Sequence, residues 1–190
     1  MEFHEQFVGQ TARHGTTQTN QLVDLVDFFS QHIVSELQQA NVNELMVLKA
    51  DAIKYLMTFR NHLPREAILV SIKSLINLLR SNSIVVHSYA ANAVDKILML
   101  KAGDGSALIK RVDLAGTEQM LLMNLFYAMT IPGSEESEFV MKAIMRTFST
   151  LQVNSNLGRP SHRLEPFACK FVKLYERIVK LWFWLSAPAL

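Results

Sequence analysis

The residues with the most chemistry to offer are scattered, and their spacing argues against a reaction centre. Six histidines (His4, His14, His32, His62, His87 and His162) include no pair four residues apart. No metal site is expected from them. Cys169, the single cysteine, has His162 seven residues upstream but no further group to orient a base; an incidental or buried thiol is the plainer reading. Gly103-Asp104-Gly105 follows no predicted strand and lacks the Lys-Ser/Thr of a phosphate loop, so it reads as a turn. Glu135-Glu136 falls at a predicted helix start, where carboxylates complement the helix dipole. None of these patterns implies catalysis, a metal or a cofactor, and the chain is not expected to be an enzyme.

A second set of polar residues has more pattern. Lys49, Lys54 and Arg60, then Lys96, then Lys142 and Arg146 lie on three predicted helices. If those helices stack in a curved row, the six cations make a partly basic concave lining for an acidic partner surface. The plainer alternative is solvated faces flanking apolar stripes. Charges at such a rim act on association rate and salt sensitivity more than on raw affinity.

The elements that must position these residues are helices. Leu22, Leu25, Val26, Phe29, Ile33 and Leu37 recur at three and four, one apolar face of a helix over 21–38 with Asn20 as its cap. Asn41-Val42-Asn43 turns the chain, with Asn43 placed to cap a helix over 44–60 whose stripe is Leu48, Ala52, Tyr55, Leu56 and Phe59. Pro64 sits at a first-turn position of a helix over 64–81, and Ser81-Asn82-Ser83 joins it to one over 84–101. Helices over 117–131 and 136–151 follow, broken by Pro132-Gly133. Connections this short force antiparallel neighbours. The exception is the longer segment 102–116, with a helical turn expected at 107–112. No sustained period-two alternation competes, so the fold class is all-α.

The second helix of each pair crowds small residues at its centre: Ala50 and Ala52; Ala90, Ala91 and Ala93; Ala143. Small side chains let helix axes approach, so these read as the inner members of stacked hairpins. They start at Glu44, Ile84 and Glu136, 40 and then 52 residues apart, the period of HEAT or armadillo-type repeats stretched once by a loop insertion. The expectation is an α-solenoid of about three HEAT-type antiparallel helix pairs over 21–152. A polar loop segment precedes it over 1–20, and a divergent tail follows over 153–190. Met46, Met57, Met99, Met120, Met123 and Met129 read as core fillers. Both end faces, 22–37 and 139–151, are expected to expose apolar surface.

Charge separates body from tail. Residues 1–152 hold 13 Lys/Arg against 15 Asp/Glu, and residues 153–190 hold 6 against 2. The body lacks the basic face of a nucleic-acid binder. The absence of a signal peptide or spanning apolar run suggests a soluble, intracellular protein. In the tail, Phe171, Leu174, Tyr175, Ile178, Leu181, Trp182 and Leu185 share one side of a helix over 166–185, with Lys170, Lys173, Arg177 and Lys180 on the other. That pattern suits a membrane-surface or calmodulin-target helix. A cap on the bare end of the last hairpin, or disorder, is favoured over membrane binding.

The segments HGTTQTNQLVDLVDFF, NVNELMVLKADAIKYLMTFRNHLP, SIVVHSYAANAV and IPGSEESEFVMKAIMRTFSTLQ carry a more specific signal. Together they resemble the middle HEAT repeats of the CAS-type exportin family, the importin-α re-exporters of the importin-β superfamily. The likeness covers residues 11–152, with segment 101–116 matching poorly. It implies a piece of a nuclear export receptor that carries importin-α out of the nucleus with RanGTP and shuttles between nucleus and cytoplasm. A generic HEAT scaffold subunit is the alternative within the binding class. At residue 153 the family likeness stops. Gln152-Val153-Asn154 can be encoded by CAG-GTN-AAY, so the tail reads as translated intron or an alternative exon.

Overall fold

Amphipathic stripes and short polar turns produce six helices among the described residues, arranged as three antiparallel hairpins. The computed structural model describes residues 19–151 apart from Gln21. The expected N-terminal loop up to residue 18, the break at 153 and the amphipathic segment 166–185 lie outside the described residues, as do Cys169, His4, His14 and His162.

The first helix, α1, spans 25–38 and runs as Leu25–Phe28, a π-helical stretch Phe29–Ile33, and Val34–Gln38. Asp24 caps it, its carboxylate accepting from the N–H groups of Val26 and Asp27 at 3.0 and 2.9 Å. Asn20, the expected cap, instead accepts from Leu22 N–H in a turn before the helix begins. A π turn inserts one residue into the helical register. Residues on either side of it therefore do not share a single face, and Val26 is exposed while Phe29 and Leu37 are buried.

Met46–Phe59 forms α2, Arg65–Leu78 α3, Ile84–Leu98 α4, Glu118–Met129 α5 and Glu138–Leu151 α6. Pro64 stands at the N-cap of α3, one position outside the first turn, where its fixed φ of −65° suits the entry and its missing N–H costs nothing. Helix α2 begins differently. Leu45 precedes it at φ 48°, a left-handed conformation that a side chain with a Cβ rarely adopts.

Helices α2, α4 and α6 pack side by side in one layer, with α4 in the middle, and α1, α3 and α5 form the second layer. Contact between successive hairpins is far more extensive in the α2–α4–α6 layer. The predicted alanines explain it: Ala50, Ala52, Ala90, Ala91, Ala93 and Ala143 are all buried. The more closely packed layer is the inner side of a curved stack. Larger side chains fill the space between layers, among them Ile53, Leu56, Ile68, Leu75, Ile97, Leu121, Leu125 and Val140.

Two expectations change. Met57 and Met129 pack against the core, but Met46, Met99, Met120 and Met123 are exposed; alanines close the inner layer, and Leu, Ile and Val fill the space between layers. The insertion 101–116 is also more ordered than a surface loop. It turns on an antiparallel bridge between Lys101 and Ala107 rather than on a helical turn at 107–112, and its one helical turn is the 3₁₀ segment Arg111–Leu114. Ile109 and Leu114 are buried in the core. Arg65 at the start of α3 pins the segment outside, 2.5 Å from Asp113.

Candidate functional site

The inner row α2–α4–α6 carries the residues expected to face a partner. The sequence put six cations there, and the structure divides them. Lys49 is fully buried. Its Nζ donates to Gln39 Oε1 at 2.5 Å and to the Glu44 carbonyl at 2.6 Å, while Gln39 Nε2 reaches Glu36 at 2.7 Å. The Gln39 amide thereby relays the ammonium to a carboxylate, and Lys49 fastens the α1–α2 turn. Arg60 is also buried, donates to the Met57 carbonyl, and has its guanidinium pulled below the ordinary value by burial. Both cations are thus spent inside the chain. Both lie on the apolar side of α2, where a long alkyl stem packs well.

The remaining four stay at or near the surface. Lys54 and Lys142 are exposed, and Lys96 and Arg146 are half-buried. Asp95, itself buried, takes Arg146 Nε at 3.2 Å and Lys96 Nζ at 3.4 Å, tying α4 to α6. Glu138 pairs with Lys142 at 3.0 Å. With Asp51 exposed one helical turn from Lys54, the lining carries four cations and three carboxylates. It is mixed in sign rather than basic. Asp95 could have been noticed, since it stands on the buried stripe of α4 next to a lysine.

Polar groups at the turns hold the three hairpins in line. His87, fully buried, places Nδ1 2.9 Å from the Ser81 carbonyl and Nε2 2.7 Å from Ser134 Oγ. A carbonyl only accepts, so Nδ1 carries a proton, and in the neutral ring Nε2 accepts from the serine hydroxyl. Asn43 completes the series: its Oδ1 accepts from Ser81 Oγ at 3.1 Å and from Asn82 N–H at 2.8 Å. Asn43 therefore caps the turn of the next hairpin rather than its own helix. Three successive turns are joined by polar groups, three of which, Ser81, His87 and Ser134, are fully buried. In the other layer Asn124 of α5 donates to the Ile76 carbonyl of α3 at 2.7 Å.

One cleft of about 410 Å³ lies between α1 and α2, lined by His32, Glu36, Leu48, Asp51 and Tyr55 among others. Tyr55 donates to the Leu25 carbonyl at 3.1 Å and packs between Phe28 and Phe59 with the rings tilted. Burial first, and then the Asp24 carboxylate, hold its hydroxyl above the ordinary value. Among the described residues no three His, Cys, Asp or Glu side chains are placed to hold a metal ion. No described helix is long and apolar enough to cross a membrane.

Comparison with known proteins gives this geometry a lineage. The family model described as Cse1 matches residues 6–94, and the one described as CAS/CSE protein, C-terminus, matches residues 95–157. The two meet inside α4, so their boundary is no structural boundary here. Exportin-2 of Homo sapiens is 52% identical over 143 residues, which is 75% of this chain and 15% of that protein. Exportin-2 of Danio rerio is 45% identical over 161 residues, 82% of this chain and 17% of the relative. The solved structure of the exportin Cse1 in its cargo-free, cytoplasmic state superposes with a TM-score of 0.59 at 31% identity, covering 75% of this chain and 15% of that one. The chain thus spans about 15–17% of the length of these relatives.

Proposed function

We propose that this chain, which belongs to the Cse1/CAS family of nuclear transport receptors, supplies a central slab of an export scaffold that carries importin-α out of the nucleus with RanGTP. The observation that supports this best is the unbroken inner row α2–α4–α6, across which two consecutive family segments join. A stack in which each hairpin touches only its neighbours sums small rotations into opening and closing of the whole superhelix. In this reading the slab contributes curvature and lining contacts, and the GTP chemistry belongs to the GTPase. The receptor shuttles between nucleus and cytoplasm.

Lys54, Lys96, Lys142 and Arg146 are the proposed partner-facing groups. Lys96, Lys142 and Arg146 are already paired within the chain. They therefore offer direction and register more than net attraction, and their effect falls on encounter rate.

A chimera tests the reading. Residues 11–152 replace the matching segment of human Exportin-2, and importin-α capture is measured with RanGTP and with RanGDP. Retention of the RanGTP-dependent complex is expected. A chimera that folds yet captures no importin-α with RanGTP would instead support a generic HEAT scaffold.

A further inference from the structure

The first two residues of each inner helix form a line that the transport reading leaves unused. They are Met46-Val47, Ile84-Val85 and Glu138-Phe139. Five of these six are apolar, and those five are 37–75% exposed. Single exposed apolar residues are ordinary, but the same register in three successive hairpins is a surface. The polar series Asn43–Ser81–His87–Ser134 holds the three turns edge to edge. Gly133, at φ +86°, brings the third turn against the second helix: a Cβ there would lie 3.1 Å from Ile84 Cδ1. Packed helices of one layer lie about 8–10 Å apart, so the line runs roughly 20 Å across the stack.

Its rim is acidic. Glu44, Glu135, Glu136 and Glu138 are exposed beside it, against the exposed cations Arg80 and Lys142. Glu135 holds the Gly133 N–H and Glu138 pairs with Lys142, whereas Glu44 and Glu136 face solvent.

We propose that this line docks a basic amphipathic helix of a partner protein, laid across the starts of α2, α4 and α6. A helix rises about 1.5 Å per residue, so side chains seven apart on one face stand roughly 10.5 Å apart, close to the spacing of the three apolar stations. Lysines or arginines beside them meet the glutamates. The inference goes beyond the transport reading and does not depend on it.

The probe is a fluorescein-labelled 21-residue peptide with leucines seven apart on one helical face and lysines flanking them, titrated with the intact 190-residue chain and followed by anisotropy. Val47→Lys together with Val85→Lys is expected to weaken binding at least about tenfold, since each valine loses its buried contact. Val112→Lys, equally exposed in segment 101–116, leaves binding unchanged. Glu135→Gln with Glu136→Gln weakens it and flattens its salt dependence. Far-UV circular dichroism checks folding; if the double variant fails to fold, Val47→Lys alone decides, with a loss of a few fold. Undiminished binding by the valine variants, an equal loss with Val112→Lys, or equal binding of a peptide whose leucines are five apart overturns the proposal. So does light scattering that shows a dimer dissolved by Val47→Lys and Val85→Lys, because the occupant is then a second copy.

Discussion

Replacing His87 by Leu tests whether the turn-to-turn hydrogen bonds hold the stack. The ring is fully buried and bridges the Ser81 carbonyl and Ser134 Oγ, the latter also fully buried. Leucine has similar bulk, so the cavity term is small and the loss is polar. Two buried groups lose their partner, and each unsatisfied group costs about 1–3 kcal/mol, which brackets the change at roughly 2–6 kcal/mol. Relaxation and entering water make the lower half of that range the expectation. For a chain of this size about 3 kcal/mol lowers the melting temperature by roughly 6–12 °C. Ser134→Ala removes one hydroxyl and should cost about 1–2 kcal/mol. In the double variant the two losses overlap, so thermal and urea melts should give a coupling near 1 kcal/mol. A loss below about 1 kcal/mol for His87→Leu, or strict additivity with Ser134→Ala, would refute the bridging role.

Three further outcomes follow from named contacts. Lys49→Met strands the Glu44 carbonyl and Gln39 Oε1 and should cost about 1–3 kcal/mol in a thermal melt, whereas exposed Lys54→Met leaves the melt unchanged. Leu45→Asn, at φ 48°, should raise stability by about 0.5–1 kcal/mol, because Asn tolerates the left-handed region better than Leu; a drop in melting temperature would show that Leu45 has a packing role. The Lys110 N–H first, and then Arg65, hold the Asp113 carboxyl below its ordinary value. A depressed folded-state pKa means stability that is present above the unfolded value, about 3.9, and lost as pH falls through the folded one. The melting difference between wild type and Asp113→Asn should therefore be constant near neutrality and vanish in strong acid; a difference that grows on acidification contradicts the anchoring of segment 101–116.

Periodicity made the helices legible to within a few residues, because their apolar residues recur at three and four between polar turns. What it could not show was which polar residues serve a neighbour. Asn43 has the position of an N-cap in the sequence, yet its side chain serves Ser81 and Asn82 in the next hairpin. Lys49 shares the helix of exposed Lys54, and only the packing side of α2 separates a buried tie from a surface charge. The π turn in α1 is equally hidden, since an inserted register leaves every residue type plausible. His87 belongs to no metal or catalytic pattern in the sequence, and its two partners come from turns 6 and 47 residues away, so its bridging role shows only in the fold.

These placements bear on how such a slab transmits motion. A solenoid flexes where adjacent hairpins slide, and it resists where they are tied. Here the ties concentrate at one edge: the turns carry the Asn43–Ser81–His87–Ser134 series, the middle of the α4–α6 contact is closed by alanines, and the Asp95–Arg146 pair lies toward the far end. Arg146 is half-exposed, so its ion pair is screened and contributes little, and an alanine seam has few interlocking side chains to resist rotation. The stack should therefore hinge about its turn edge, with the far ends of α2, α4 and α6 moving most. Lys96 and Arg146 lie toward those moving ends, and Met46, Val47, Ile84 and Val85 at the fixed one. Opening and closing the superhelix would then change the charged lining while leaving the apolar line intact.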